Sequence, residues 1–336
     1  MEHTIRKRAE ELERQTLSPR ACLSVSSRGR MVDIPPCPMR TCFQRDVDRV
    51  VHCKSFRRLK HKTQVFLQPE GDHYRTRMTH TLEVSRIART IARALSLNED
   101  LTEAVALGHD LGHTPFGHAG ERLLNQVMPG GFAHYRQSVR VVERLEKGGE
   151  GLNLTWEVRN GIACHTKGTP AATLEGQIVR LADHIAYINH DIEDALRGGI
   201  IYPMDIPLEI SNVLGFTHSQ RIDTLVNDAV AASRGQKEIR QSDGVGEAML
   251  ALRDVMFDKV YTSPIAKGEE GKAQDMLRRL FEYYQKNPDE LPGDFQAIRA
   301  EEGTDRAVCD YIAGMTDPFA VETFKELFIP KGWTVL

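Results

Sequence analysis

Residues 107–121 read LGHDLGHTPFGHAGE and place three histidines and two carboxylates within fifteen positions. His109 and Asp110 are neighbours in this stretch, and neighbouring side chains on a helix point about 100° apart. Both side chains can contact one bound ion or ligand only if it lies between them, and residues from other helices must then complete its surroundings. The stretch therefore predicts a polar site that is completed by residues from elsewhere in the chain.

Two residues outside the stretch are suited to complete this site. His80 lies in RMTHTLEV and Asp183 lies in VRLADHIAYINHD. Apolar residues recur every three or four positions around each of them, which predicts amphipathic helices over 79–96 and 173–197. His80 falls on the apolar stripe of its helix, where a buried histidine needs a polar partner. Taken alone, His80 would be interpreted as a core histidine bonded to a carbonyl; beside the other three residues, it indicates a shared ion.

The four residues together form a mixed nitrogen and oxygen set, which suits a divalent cation. They are His80, His109, Asp110 and Asp183. Mn²⁺ or Mg²⁺ is the expected ion, and Fe²⁺, Co²⁺, Ni²⁺ and Zn²⁺ are alternatives. Four protein ligands leave positions for water and a phosphate oxygen, and a Lewis acid can lower the pKa of bound water from ~15.7 toward ~7. The sequence therefore predicts a hydrolytic metal site.

His118 and Glu121 are the candidate catalytic pair. They are three positions apart at the start of the next predicted helix, so they share a face. A carboxylate one turn away fixes the tautomer of a histidine and keeps it protonable near neutral pH, and general acid catalysis is typically worth ~10²–10⁴-fold. The alternative is a solvent-facing pair at a helix end.

Composition and charge narrow the class of protein. The chain has 336 residues and a net charge of −3, which does not indicate a nucleic-acid or membrane surface. A basic run over 57–62 is either a solvated helix face or a local attraction for an anionic substrate. The six cysteines have no CxxC spacing, which favours a reduced, cytoplasmic protein without disulfides. No apolar run is long enough for a membrane span, and the charged N-terminus does not resemble a signal peptide.

The remaining patterns predict a predominantly α-helical, all-α fold with at most a short β-hairpin. Residues 65–67 are the one candidate strand, and 17–41 and 200–215 are rich in proline and glycine and are predicted to be irregular. The other predicted helices cover 4–16, 44–60, a segment starting at Glu99 and ending near Gly112, 136–147, 155–163, 216–262, 273–286 and 305–328.

Several blocks of sequence, in order, resemble the deoxyguanosinetriphosphate triphosphohydrolase family of HD-domain metallohydrolases. They are QRDVDRVVHCKSFRRLKHKTQVF, RTRMTHTLEVSRIARTIAR, GHDLGHTPFGHAGE, LADHIAYINHDIEDA and DYIAGMTD. The resemblance implies an HD-domain helical core over 41–200, with an N-terminal extension (1–40) and a C-terminal helical region (201–336) packed on the core. It implies hydrolysis of a deoxynucleoside triphosphate (dNTP), such as dGTP, to a deoxynucleoside and inorganic tripolyphosphate.

The resemblance also implies roles for individual substrate-binding residues. Gln64 and Asp191 match positions that bind the 3′-hydroxyl, and Tyr187 matches a tyrosine that occupies the place of a 2′-hydroxyl. Arg77 and His134 match positions on the triphosphate, while His118 matches a residue beside the scissile phosphate. A human relative of this family, a dNTP hydrolase with SAM and HD domains, has a phosphate-binding lysine where this chain has His184, so the resemblance does not extend to that contact. His113 and His165 receive no assigned role.

Members of the resembling family form homo-oligomers, often tetramers or hexamers, and some respond to a bound dNTP. Several bind single-stranded DNA. Two rival functions therefore stay open: another HD phosphohydrolase, acting on nucleoside monophosphates, cyclic nucleotides or (p)ppGpp, and a regulator that binds dNTP or single-stranded DNA with little turnover.

Overall fold

The computed structural model describes residues 4–64, 75–166, 168–262 and 268–332. Those residues contain sixteen α-helices and two isolated β-bridges but no strand, so the expectation of an all-α fold is confirmed. The predicted strand at 65–67 lies outside the described residues.

Most predicted helices are present, with shifted ends. The helices are α1 (Ile5–Thr16), α2 (Cys42–Val51), α3 (Lys54–Arg58), α4 (Arg77–Ala94), α5 (Glu99–Gly108), α6 (Gly117–Val127), α7 (His134–Arg140), α8 (Trp156–Ala163), α9 (Leu174–Arg197), α10 (Leu208–Leu214), α11 (His218–Ser233), α12 (Asp243–Met256), α13 (Glu270–Lys286), α14 (Gly293–Glu302), α15 (Thr304–Gly314) and α16 (Asp317–Phe328). Single π-helical turns extend α7 through Val141–Leu145 and α12 through Phe257–Tyr261.

The site is carried by α4, α5 and α9, which pack on one another through their apolar faces. The buried stripe of α4 includes Val84 and Ile91, and that of α9 includes Ile178 and Ile185; all four are 0% exposed. Asn98 caps α5 by accepting a hydrogen bond from the backbone of Leu101 at 3.1 Å, as its position before the first acidic turn predicts.

Helix α5 ends at Gly108, four residues earlier than the sequence predicts. The hydroxyl of Ser138 on α7 donates to the carbonyl of His109 at 2.6 Å and accepts the backbone N–H of Gly112 at 2.9 Å. Side-chain hydrogen bonds from another helix thus replace the helical ones, and the turn that carries His109 and Asp110 leaves the helix axis. Gly112 is required there, because an added Cβ would lie 2.1 Å from the backbone nitrogen of Ser138.

The predicted helix over 44–60 is broken into α2 and α3. The cause is Glu146, whose carboxylate accepts the backbone N–H groups of Lys54 at 3.1 Å and Ser55 at 2.7 Å, while Cys53 Sγ accepts that of Phe56. A buried carboxylate 91 residues away thus caps a new helix start. Periodicity within the segment does not encode this contact.

Three further predictions in the C-terminal half are wrong in detail. The segment predicted as irregular over 200–215 contains α10, which starts directly after Pro207, a residue compatible with a helix start. The long helix predicted over 216–262 is interrupted at 234–242, where Ser233 Oγ pairs with the backbone of Arg240. The single helix predicted over 305–328 is divided at Thr316, which caps α16 and separates it from α15. Helix α14 was not predicted.

Candidate active site

The four predicted metal ligands converge from α4, the turn after α5, and α9. Ligand atoms of His80, His109 and Asp110 all lie within 4.8 Å of one another, and these residues are buried. Asp183 Oδ1 lies 3.1 Å from His80 Nε2 and 3.8 Å from His109 Nε2. The adjacent His109 and Asp110 therefore meet partners from two other helices, as the sequence predicts.

The orientation of His109 suits a cation. Its Nδ1 lies 2.6 Å from the carbonyl oxygen of Ala106, so Nδ1 carries the proton and Nε2 carries the lone pair. His109 Nε2 is buried and has no hydrogen-bond partner within the described ranges. A buried nitrogen lone pair aimed at two carboxylates is the donor set that a divalent ion fits.

The carboxylates of this cluster are held in the ionised form. Burial alone would raise the pKa of Asp183, but the hydrogen bond with His80 holds that pKa well below its ordinary value of 3.8. Burial would likewise raise the pKa of Asp110, but the groups around it, among them the charged Arg77, hold it well below the usual range. Ionised carboxylates are the form that binds cations.

Arg77 is bound to one of these carboxylates. Its guanidinium donates to Asp110 Oδ2 at 2.9 Å, and both side chains are at most 5% exposed. A second contact runs to the backbone oxygen of Gln64 at 3.3 Å. The structure therefore places the predicted phosphate-binding arginine directly behind a predicted metal ligand.

A second cluster is built around Glu121 on α6. Glu121 Oε2 lies 3.1 Å from His118 Nδ1, and Oε1 accepts both Nδ1–H and the backbone N–H of His134, each at 2.8 Å. Burial would raise the pKa of Glu121, but the hydrogen bonds with the two histidines hold it well below its ordinary value. The same carboxylate thus orients two imidazoles and caps α7.

The two clusters touch through His113. Its Nε2 lies 3.5 Å from Asp110 Oδ1, and its ring stacks on that of His134 with centroids 4.1 Å apart. Burial, followed by the charges of Arg77 and His134, lowers the pKa of His113 well below its ordinary value. His165 also faces this group, with its centroid 5.0 Å from that of His109.

Two of the three predicted sugar-binding residues, Tyr187 and Asp191, lie on α9, and the third, Gln64, lies in the segment after α3. Tyr187 is half-buried, and burial raises its pKa to about 12. Asp191 is buried, its Oδ2 accepts a hydrogen bond from the hydroxyl of Tyr261, and its Oδ1 has no partner in the part of the chain that the structure describes. Burial raises the pKa of Asp191 to about 7. Gln64 is half-buried, and its Oε1 likewise lacks a hydrogen bond from any described residue.

Sequence reasoning missed three residues at the site. Tyr261 pairs with Asp191, and Asp317 on α16 binds the loop before His118. Lys62 belongs to the basic run that was predicted to face solvent or substrate, but it is 3% exposed and donates to the carbonyls of His113 and Ala313. Each contact joins segments far apart in sequence, so no local pattern signals it.

Comparison with known proteins agrees with this architecture. The HD domain family matches residues 77–188, and a phosphohydrolase-associated domain matches residues 239–326. A deoxyguanosinetriphosphate triphosphohydrolase-like protein from Caldanaerobacter subterraneus subsp. tengcongensis is 55% identical to the chain, covering 98% of it and 97% of the relative. Proteins described in the same words from Desulfatibacillum aliphaticivorans and Clostridium perfringens (strain 13) are 50% and 49% identical, over 97% of the chain and 99% and 98% of the relatives.

A solved structure of a hypothetical protein from Aquifex aeolicus is 22% identical, with a TM-score of 0.49 over 85% of this chain and 68% of that one.

Among the described residues, no helix combines the length and apolar character that crossing a bilayer requires. Full-length identity near one half, together with the HD-domain match over the helices that carry the predicted metal ligands, shows that the chain belongs to the deoxyguanosinetriphosphate triphosphohydrolase-like family of HD-domain proteins.

Proposed function

We propose that this protein is a metal-dependent dNTP triphosphohydrolase, which hydrolyses a deoxynucleoside triphosphate to a deoxynucleoside and inorganic tripolyphosphate. The observation that carries the proposal is the contact between two clusters: the buried His80, His109 and Asp110 group, and the histidines oriented by Glu121. The HD domain and the names of the relatives support hydrolysis of a phosphate ester or anhydride. That the substrate is a dNTP is our proposal.

His80, His109, Asp110 and Asp183 would hold the divalent ion, which we propose to be Mn²⁺ or Mg²⁺. When bound, such an ion supplies Lewis acidity, which acidifies water and withdraws charge from a phosphate. The protein's own contribution is to shield the proposed ligands from solvent: His109 is 0% exposed and Asp110 is 4% exposed. Arg77 pairs with Asp110 Oδ2 and so neutralises part of the charge of that carboxylate, which limits the repulsion of a polyanionic substrate.

His118 is the proposed general acid for the leaving 5′-oxygen. Its side chain is 65% exposed, so a substrate can approach it, and Glu121 fixes its Nδ1. With Nδ1–H bound to a carboxylate, Nε2 is the nitrogen left to deliver a proton. His134, held by the other oxygen of Glu121, is proposed to line the phosphates.

Recognition of deoxyribose is assigned to Asp191 and Gln64, with Tyr187 occupying the space of a 2′-hydroxyl. The support is that Asp191 Oδ1 and Gln64 Oε1 are buried acceptors whose partners are not found among the described residues. Acceptors of this kind favour a ligand hydroxyl, because an unpaired buried polar atom costs about 1–3 kcal/mol.

A homo-oligomer, tetramer or hexamer, is a further part of the proposal. Large apolar side chains lie exposed near α10–α12, including Met204 at 90%, Phe216 at 61% and Phe257 at 59%. Exposed apolar surface of this kind is typical of a face that another subunit covers. We also propose a cytoplasmic location, supported by six cysteines that are all free thiols.

The experiment that tests the function is a panel of the four dNTPs, alone and mixed, with Mn²⁺ or Mg²⁺. Tripolyphosphate and deoxynucleoside in equal amounts would support the proposal, and faster turnover in mixtures would indicate activation by a bound dNTP. Release of orthophosphate or pyrophosphate would contradict it and favour another HD phosphohydrolase. Absence of turnover with tight binding of dNTP or single-stranded DNA would favour the regulator.

A further inference from the structure

The outer nitrogen of His80 is a buried donor that needs an acceptor. His80 presents Nε2 to the predicted metal ligands, where it lies 3.1 Å from Asp183 Oδ1. With Nε2 turned toward the expected ion, Nδ1 carries the proton, as it does in His109. His80 Nδ1 is nevertheless buried and has no hydrogen-bond partner among the residues that the structure describes. Because buried polar groups are almost always paired, this donor indicates an acceptor close to it.

Two further groups on this side of His80 are also unpaired. The imidazole of His190 on α9 faces that of His80, with ring centroids 6.1 Å apart and ring planes at 89°. His190 Nδ1 lies 3.1 Å from Oε2 of Glu83, which follows His80 by one turn of α4. The distance suits a hydrogen bond but the angle does not, so both atoms are buried without a bond to any described residue. Three unpaired polar atoms therefore lie together behind a predicted metal ligand.

We propose that His190 and Glu83 are positioning residues for His80, and that they accept its Nδ1–H through one bridging water. A direct N–H···N bond of about 2.9 Å would bring the two ring centroids to about 5 Å, so the observed separation suits a bridged contact. A buried water typically has about three polar partners. The inference rests on the proposed function in one respect, since it takes His80 as a metal ligand. A hydrogen bond behind such a histidine fixes its tautomer and its orientation.

Arg75 holds the carboxylate of Glu83 in this position. Its Nε lies 3.4 Å from Glu83, and its two terminal nitrogens lie 2.6 Å from Glu193 Oε2 and 3.1 Å from Asp194 Oδ1. The three carboxylates belong to α4 and α9, so one guanidinium joins the two helices beside His190. Glu83 is thereby kept against His190, although its side chain is 37% exposed.

The test measures the Kd for Mn²⁺ of metal-free protein by calorimetry, without substrate. Two replacements separate hydrogen bonding from packing. His190→Phe keeps an aromatic ring against His80 and His218 but removes both nitrogens. His190→Gln loses the ring but keeps an amide that can accept a hydrogen bond. We expect His190→Phe to raise the Kd by about 10–100-fold, and His190→Gln to recover most of that loss. A residue that acted only by packing would give the opposite order.

Glu193→Gln is the matched control, because it alters a carboxylate bound to the same Arg75 and should leave the Kd unchanged. If His190→Phe does not fold, as judged by circular dichroism, Glu83→Ala decides, and it should raise the Kd about 10-fold. An unchanged Kd in the variant that decides, or a larger loss in His190→Gln than in His190→Phe, would overturn the positioning role and leave the metal site standing. Wild-type protein that binds no Mn²⁺ would instead overturn the proposed function, and this inference with it.

Discussion

The carboxylate of Asp317 accepts the backbone N–H of Phe116 at 3.0 Å. Its second oxygen accepts the backbone N–H of Thr63 at 3.0 Å and the hydroxyl of the same residue at 2.8 Å. The first residue of α16 therefore ties together the loop that presents His118 and the segment that carries Gln64. Phe116 has a φ of 58°, a left-handed conformation that a non-glycine residue holds only with support of this kind.

Asp317→Asn is expected to lower both stability and activity. The amide places an NH₂ group against backbone donors, so at least one buried N–H loses its acceptor, which costs about 1–3 kcal/mol. The loop before His118 should then lose its fixed conformation, and kcat/KM should fall at least about 10-fold. Thermal unfolding and steady-state hydrolysis measure the two effects. Asp289→Asn, at a side chain that is 92% exposed, should change neither.

His118→Gln and Glu121→Ala should separate catalysis from structure. His118 is exposed, so its loss should lower kcat by ~10²–10⁴-fold and leave the melting temperature unchanged. Glu121 also accepts the backbone N–H of His134, so its replacement should lower kcat and reduce the free energy of unfolding by about 1–3 kcal/mol. Equal melting temperatures for the two variants would contradict the capping role of Glu121.

The parts of the fold that the sequence predicts well are those whose signal is local. Helices α4 and α9 show their buried faces through apolar residues at three- and four-residue spacing. His80 lies on the buried stripe of α4, whereas Asp183 lies on a neighbouring stripe of α9. The N-cap of α5 is also local, because Asn98 binds a residue three positions later. Such contacts depend only on the turn of the helix, so a single sequence carries them.

What the sequence did not predict depends on contacts between distant segments. Glu146 breaks the helix expected over 44–60, and Ser138 ends α5 early, through hydrogen bonds to backbone groups far away in the chain. Lys62 belongs to a run that looks exposed, yet it is buried because carbonyls of two other elements accept its protons. Tyr261 and Asp317 reach the site from 70 and 201 positions away, and periodicity carries no signal at that range.

The buried carboxyl of Asp191 should make stability depend on pH. Burial raises its folded-state pKa to about 7, only partly offset by the hydrogen bond from Tyr261, against 3.8 for an ordinary aspartate. Between these values the folded protein binds more protons than the unfolded chain, so the free energy of unfolding falls as pH rises. Asp191→Asn cannot titrate and should lack this fall. Denaturant unfolding of metal-free protein should show the difference, up to about 4 kcal/mol, growing from about pH 4 to 8.

The turn that carries His109 and Asp110 lies close against α7. A Cβ at position 112 would lie 2.1 Å from the backbone nitrogen of Ser138 and 2.6 Å from the carbonyl oxygen of His134, so backbone must move to admit it. Gly112→Ala should therefore destabilise the protein by about 2–4 kcal/mol and weaken Mn²⁺ binding, because Asp110 is only two residues away. Gly244→Ala, inside α12 where nothing lies within 4 Å of the added Cβ, should instead stabilise it by up to about 1 kcal/mol. Melting temperatures of the two variants and a Mn²⁺ titration followed by calorimetry measure both effects, and a neutral Gly112→Ala would show that the turn is not held against α7.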